Sequence, residues 1–403
     1  MTKGGKRLWW ERDDLGYRDQ RLVLAGADLA ALARSMGTPL FVYSRQRLLA
    51  NLQRLFAALA GRSFPSRIFF AIKANRFPPL LAALQLHGGC GADVCSPGEL
   101  LLARQVGFAE EEISYTATAV ADSDLDLIAR QPGVWVNADS LSTIRRLGQR
   151  CPGRQIGLRL NPGRGLGYRD QELLQYAGSR PTKFGIYPAR FREALDLAAS
   201  FGLAVTGLHF HCGCGWSDPQ LPVLDRILSD CRQLAGQVPG LRVLNVGGGL
   251  GVPYTGEDPP LDLRAWADLL GRHLGGLGCA VWVEPGNYLA MDAGVLLVQV
   301  NTVEEKEGRI FVGVNGGTDL VVEPAYYHLP LEVAVCQRRP DQPARQVTVA
   351  GHINEALDIL AEDIELPAVE EGDFLALLNT GAYGSTMSSH HCLRGQFMEM
   401  LLP

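Results

Sequence analysis

Ile68-Phe69-Phe70-Ala71-Ile72-Lys73-Ala74-Asn75 is a short apolar run closed by a lysine. A run of this length and composition reads as a strand buried on both faces. Seven further runs of the same kind follow: Ala92–Cys95, Ile113–Tyr115, Val134–Val136, Ile156–Leu160, Val205–Phe210, Val243–Val246 and Val281–Val283. Amphipathic stretches, such as 189–200 and 222–236, lie between most of them. Strands alternating with helices imply parallel strands. Eight such units over about 220 residues fit a closed (β/α)8 barrel, and so an α/β fold, better than an open doubly wound sheet.

Outward from this segment the rhythm changes. Beyond residue 290 the runs Val295–Val300, Arg309–Val314, Leu331–Val335 and Phe374–Leu378 are separated by turns, which predicts a β domain. The strand-like Arg21–Leu24 near the start fits the same domain. The expected limits are 38–288 for the barrel, and 1–37 with 289–403 for the β domain. Ser96-Pro97-Gly98-Glu99 has the pattern of a capping box with proline at the first helical position, and Ser44 can cap a helix over 45–59.

The bulk numbers agree with an ordinary globular enzyme. The 403 residues are 47% hydrophobic and 20% charged, with a net charge of -5. A mildly acidic chain lacks the basic footprint of a nucleic-acid binder. No apolar run approaches the roughly 18 residues of a membrane span, and the first residues lack a signal-peptide core. Nine cysteines without CxxC pairing argue against zinc sites or a disulfide framework and suggest a reducing cytoplasm.

Reactive groups of such barrels lie at the C-terminal ends of strands, and five places there or nearby carry unusual residues. Lys73 ends an apolar strand, where desolvation would lower its pKa and make it a nucleophile toward an aldehyde; a snorkelling lysine is the plain alternative. Gly247, Gly248, Gly249 and Gly251 expose backbone N–H groups suited to phosphate, although glycine-rich turns also serve sterics alone. Glu284, in Glu-Pro-Gly-Asn, can be buried beside a cation or sit on a surface turn. His209 and His211 alternate onto one face, which invites a metal without an evident third ligand, an imidazole stacked on a cofactor, or, for His209, a satisfied core histidine. Tyr383, between glycines in the β domain, can approach a ligand or fill a turn.

In this order and at these separations, lysine, HxH, GGG, EPG and GAYG resemble the fold-type III pyridoxal phosphate (PLP) decarboxylases. These are the diaminopimelate, ornithine and arginine decarboxylase group, related in fold to alanine racemase. The likeness covers about residues 35–403 and is nearest to the diaminopimelate branch. It implies PLP anchored covalently on Lys73, His211 stacked on the pyridine ring, Gly247, Gly248 and Gly249 around the phosphate, and Glu284 paired with the pyridine nitrogen. It also places Asp93 near the cofactor and Tyr383 on the phosphate. Family members are usually homodimers with shared active sites, so Asn354 and Glu355 would serve the partner's site.

Four positions depart from that pattern, all on the substrate side. The family's Cys-Glu-Ser reads Asn354-Glu355-Ala356. The cysteine returns a proton to the α-carbon, and asparagine has none to give; Glu355 matches the family's glutamate. Asn287 and Glu323 replace two arginines that hold a distal carboxylate, with Tyr327 in the same motif as Glu323. Cys214 replaces a serine that contacts the phosphate. A carboxylate wants a cationic fork, so these changes point away from diaminopimelate. They suggest an amino acid or amino-acid conjugate with another distal group, carrier-bound in one version, in a specialised siderophore or antibiotic route. The alternatives are racemase or epimerase chemistry and a PLP-binding regulatory pseudoenzyme.

Overall fold

The structure is a computed structural model and describes residues 8–178, 180–339 and 342–403. All eight expected runs form strands: Ser66–Ala71, Cys90–Val94, Ile113–Thr116, Trp135–Ala138, Gln155–Leu160, Ala204–Phe210, Val243–Asn245 and Ala280–Val283. They pair in parallel in chain order, and the last closes onto the first through Val281↔Ser66, Trp282↔Arg67 and Val283↔Ile68. This is the expected barrel.

Its interior near the strand N-termini is filled by aromatic rings set against glycines. Phe69 and Trp282 lie 4.6 Å apart between ring centroids, and Trp135 and Trp282 5.3 Å apart. A Cβ at Gly91 would stand 2.7 Å from Phe69 Cδ1, and one at Gly207 would stand 2.3 Å from Trp135 Cζ2. Only glycine leaves room for rings of this size inside an eight-stranded barrel.

The helix signals hold in detail. Ser96 Oγ accepts from the N–H of Glu99 at 3.2 Å, and Pro97 opens the helix Pro97–Val106. The Glu99 carboxylate accepts from the N–H of Cys95 at 2.7 Å, one residue before the cap. Ser44 Oγ accepts from the N–H of Arg47 at 3.1 Å at the start of Arg45–Leu59.

The chain divides into two compact units: 51–252 with 260–289, and 1–50 with 253–259 and 290–403. The expected limits put Leu40–Ser44 with the barrel. Its hydrogen bonds run instead to Gly294–Lys306, antiparallel, and Met398–Leu402, parallel. The cause is its apolar alternation: Leu40 and Val42 share a core with Val295, Leu297, Ala376 and Leu29. Gly294–Lys306 is the spine of this second unit, pairing with Phe374–Leu377 along its first half and with Arg309–Val314 along its second. Ala344–Ala350 and Ile359–Pro367 extend the sheet; their mixed polar sequence gave no strand signal. Arg21–Leu24 belongs to a small three-stranded sheet with Leu15–Arg18 and Ala27–Asp28. Among the described residues no helix is long and apolar enough to cross a membrane.

Candidate active site

The barrel gathers its expected residues at the strand C-termini. Lys73 follows the first strand in a single 3-10 turn, Ile72–Ala74. Asp93 lies near the end of the second strand, His209 near the end of the sixth with His211 just beyond, and Glu284 directly follows the eighth. Glu284 is only 7% exposed. Its Oε2 lies 3.0 Å from His209 Nε2, and its Oε1 accepts from Asn245 Nδ2 at 2.6 Å and from Ser114 Oγ at 3.4 Å. His209 is thus a buried histidine with a carboxylate partner, the plain alternative among the readings left open for it.

These bonds decide which carboxylate stays charged. Burial pushes Glu284 up, but His209, Asn245 and Lys73 together hold it below its usual range. Asp93 has no such support. Burial and then the charge of Glu284 push it well above its usual range, against the pull of Lys73. Its Oδ1 is buried without a hydrogen-bond partner. For Lys73 burial lowers the pKa, and Asp93, with smaller help from Tyr176 and Cys95, carries it above the ordinary value. Desolvation alone predicted the opposite sign; the buried countercharge reverses it.

His211 Nδ1 accepts from the N–H of Gly248 at 3.2 Å, which fixes its lone pair there. Burial, then Lys73 and Arg159, press its pKa well below the usual value. The ring is neutral and lies 4.9 Å from Tyr176, tilted by 34°.

The glycine loop is tightly enclosed. A Cβ at Gly248 would stand 2.0 Å from Glu284 O, and one at Gly249 2.0 Å from Gly213 O. Two of the three N–H groups expected to face a phosphate are used inside the protein. Gly247 donates to Asn245 Oδ1 at 2.9 Å, and Gly248 donates to His211. Gly249 has no protein acceptor for its N–H among the described residues, and the buried indole N–H of Trp216 beside it also has none. Two adjacent unspent donors, an amine, and a carboxylate held ionised fit the phosphate, aldehyde and pyridine nitrogen of PLP.

Two of the departures meet in this unit: Asn287, buried at 2% exposure, places Nδ2 3.7 Å from Cys214 Sγ. The second unit carries the others. Glu323 opens the short helix Glu323–Tyr327. Desolvation pushes its carboxyl up to about 8, and among the described residues no cationic side chain offsets this. Asn354 and Glu355 are exposed on a loop anchored by Asp358, whose carboxylate accepts from the N–H groups of Thr318 and Ile353, each at 2.6 Å. Glu355 Oε1 lies 3.1 Å from His391 Nε2, and both line a cavity of about 530 Å³ with Tyr326 and Asp319. Tyr383, in the same unit, has a left-handed backbone with φ 58°.

Sequence reading missed Ser114, Asn137, Arg159, Trp216 and His391. Asn137 Nδ2 donates to Ser114 Oγ and Thr116 Oγ1, at 3.4 and 2.8 Å, beneath Glu284. Arg159 is 7% exposed, with its guanidinium 4.6 Å from the Phe184 ring centroid. A polar residue inside an apolar strand was the available signal, since burying one requires partners.

A barrel with this constellation defines a class, and the comparisons supply its name. Residues 47–291 match the family model described as pyridoxal-dependent decarboxylase, pyridoxal binding domain, and the chain belongs to that family. It is a PLP-dependent carboxy-lyase, not a racemase or a regulatory pseudoenzyme. The chain is 36% identical to a diaminopimelate decarboxylase of Methanothermobacter thermautotrophicus, over 97% of this chain and 92% of that one. The solved diaminopimelate decarboxylase of M. jannaschii superposes with a TM-score of 0.87 at 25% identity, covering 97% and 93% of the two chains. That of Helicobacter pylori, complexed with L-lysine, gives 0.82 at 26% identity, covering 93% of each.

Proposed function

We propose that this decarboxylase removes the α-carboxylate of an amino acid whose far end carries an amine or a neutral group. One observation carries the reading: Glu323 is half-buried, and among the described residues no cationic side chain offsets its desolvation. It stands where the family has an arginine for a distal carboxylate. A substrate ammonium would supply the missing countercharge and draw the carboxyl to its ionised form, whereas a distal carboxylate would find no cationic fork there. Asn287, the other changed arginine, is committed to Cys214. A second reading, meso-diaminopimelate itself, is favoured by the full-length likeness to enzymes of that name.

When bound, the cofactor supplies a sink for the electrons left as the carboxylate departs. The chain's own part is positional and electrostatic. Lys73 would anchor the aldehyde, with the Asp93 carboxyl, raised by burial and by Glu284, close by. Glu284, held ionised, would keep the pyridine nitrogen protonated, and His211, held neutral, would lie against the ring. Gly249, Trp216 and Tyr383 would hold the phosphate. The α-carbon then needs a proton, which Asn354 cannot give. The imidazole of His391, bonded to Glu355 on the same cavity wall, is the group suited to move one. Homodimerisation with shared sites is supported by the exposed apolar Tyr326, Leu357 and Leu393 near this cavity, a patch that a second copy would cover.

The test is turnover of a panel (diaminopimelate, lysine, ornithine, arginine and glutamate) in D2O with mass-spectrometric readout. Loss of CO2 from lysine or ornithine, with one deuteron gained at the α-carbon, supports the proposal. Efficient turnover of diaminopimelate establishes the second reading instead. Silence across the panel directs the search to a larger or carrier-bound substrate.

A further inference from the structure

We propose that the opposite mouth of the barrel, at the strand N-termini, is a second binding site, for a small organic anion with a flat apolar body. A cavity of about 820 Å³ opens there, within the usual size of ligand sites. Trp135 and Trp282, which belong to the aromatic filling of the barrel, line it. Arg67, Arg154 and Arg242 surround them, against the single lining carboxylate of Glu111. Three guanidiniums to one carboxylate is a local excess of positive charge in a chain whose net charge is -5.

The arginines are held in place before any ligand arrives. Arg154 donates to the carbonyls of Ile128, Gln131 and Val134 at 2.7, 2.9 and 2.6 Å. Its Nε–H is buried with no partner among the described residues. Arg67 donates to Glu111 O at 3.0 Å, and its guanidinium lies 5.0 Å from the Phe69 ring centroid and 5.6 Å from that of Trp282. Arg242 donates to Gln155 Oε1 at 2.7 Å. Fixed guanidiniums over an aromatic floor recognise a carboxylate or sulfonate joined to a planar body, because the charge meets a fork and the body replaces water on the rings. None of these residues belongs to the cluster around Lys73 and Glu284, so the inference stands apart from the substrate reading.

The test is a fluorescence titration of the PLP-loaded protein with 8-anilinonaphthalene-1-sulfonate, with its uncharged analogue N-phenyl-1-naphthylamine alongside. Saturable binding is expected, weakened about tenfold or more by Arg242→Glu. Glu111→Gln should tighten it about twofold with an unchanged near-UV circular dichroism spectrum, which separates the gain from a loosened fold. The uncharged analogue should bind about tenfold more weakly than the sulfonate. Absence of saturation, equal affinity in both variants, or equal affinity for the two probes would overturn the proposal.

Discussion

Glu284 and Glu355 are both candidate site carboxylates, and they are built in opposite ways. Glu284 is buried at a barrel strand end with three hydrogen-bond partners, His209, Asn245 and Ser114, on three other strands. Glu355 is 49% exposed at its side chain, on a loop, with His391 as its partner. The difference separates two tasks. A charge that must persist in a dry site has to be fixed by neighbours, so its whole surround is specified. A group that meets the substrate on a loop depends on few neighbours, so it can change without disturbing a core. Asn354, one of the departures from the family pattern, lies in the second environment.

That contrast can be broken by four measurements, in falling order of effect. Lys73→Ala should abolish turnover and the absorbance of covalently held cofactor; retention of both would remove Lys73 as the anchor. Glu284→Gln keeps the shape but loses the charge, and should lower kcat by about 10²–10³. A fall of less than about fivefold would mean that the bonds to His209 and Asn245 matter for packing alone. His391→Gln should cost about 10²-fold in kcat. A kcat within about fivefold of the parent would take proton delivery away from His391.

The smallest effect concerns stability. Glu323 is raised to about 8 in the fold, above the ordinary value of a glutamate in the unfolded chain. The folded form therefore holds the proton more tightly. Its stability should decline as pH rises through the interval from the ordinary glutamate range to about 8, then level off. Thermal melting of Glu323→Gln should show a shallower decline over that interval; an identical slope would mean that Glu323 is paired or hydrated.

The barrel was legible because its strands are buried on both faces and spell themselves as unbroken apolar runs. The sheet of the second unit was only half legible: Ala344–Ala350 begins with three exposed residues, and Leu40–Ser44 pairs with segments hundreds of residues away. Site residues with a local signature, Lys73 and the glycines, were readable. Those defined by what they touch across the barrel were not. Asn137 matters because it reaches Ser114, and Arg159 because it faces Asp139, Glu284 and Asp93. The sign of the Lys73 shift failed for the same reason, since its countercharge comes from another strand.

The aromatic filling set against Gly91 and Gly207 gives the barrel two unlike ends. Phe69, Trp135 and Trp282 pack on one another toward the arginine-lined mouth, while Lys73 and Glu284 stand at the strand C-termini. A larger residue at either glycine would have to displace a ring before it touched the reactive end.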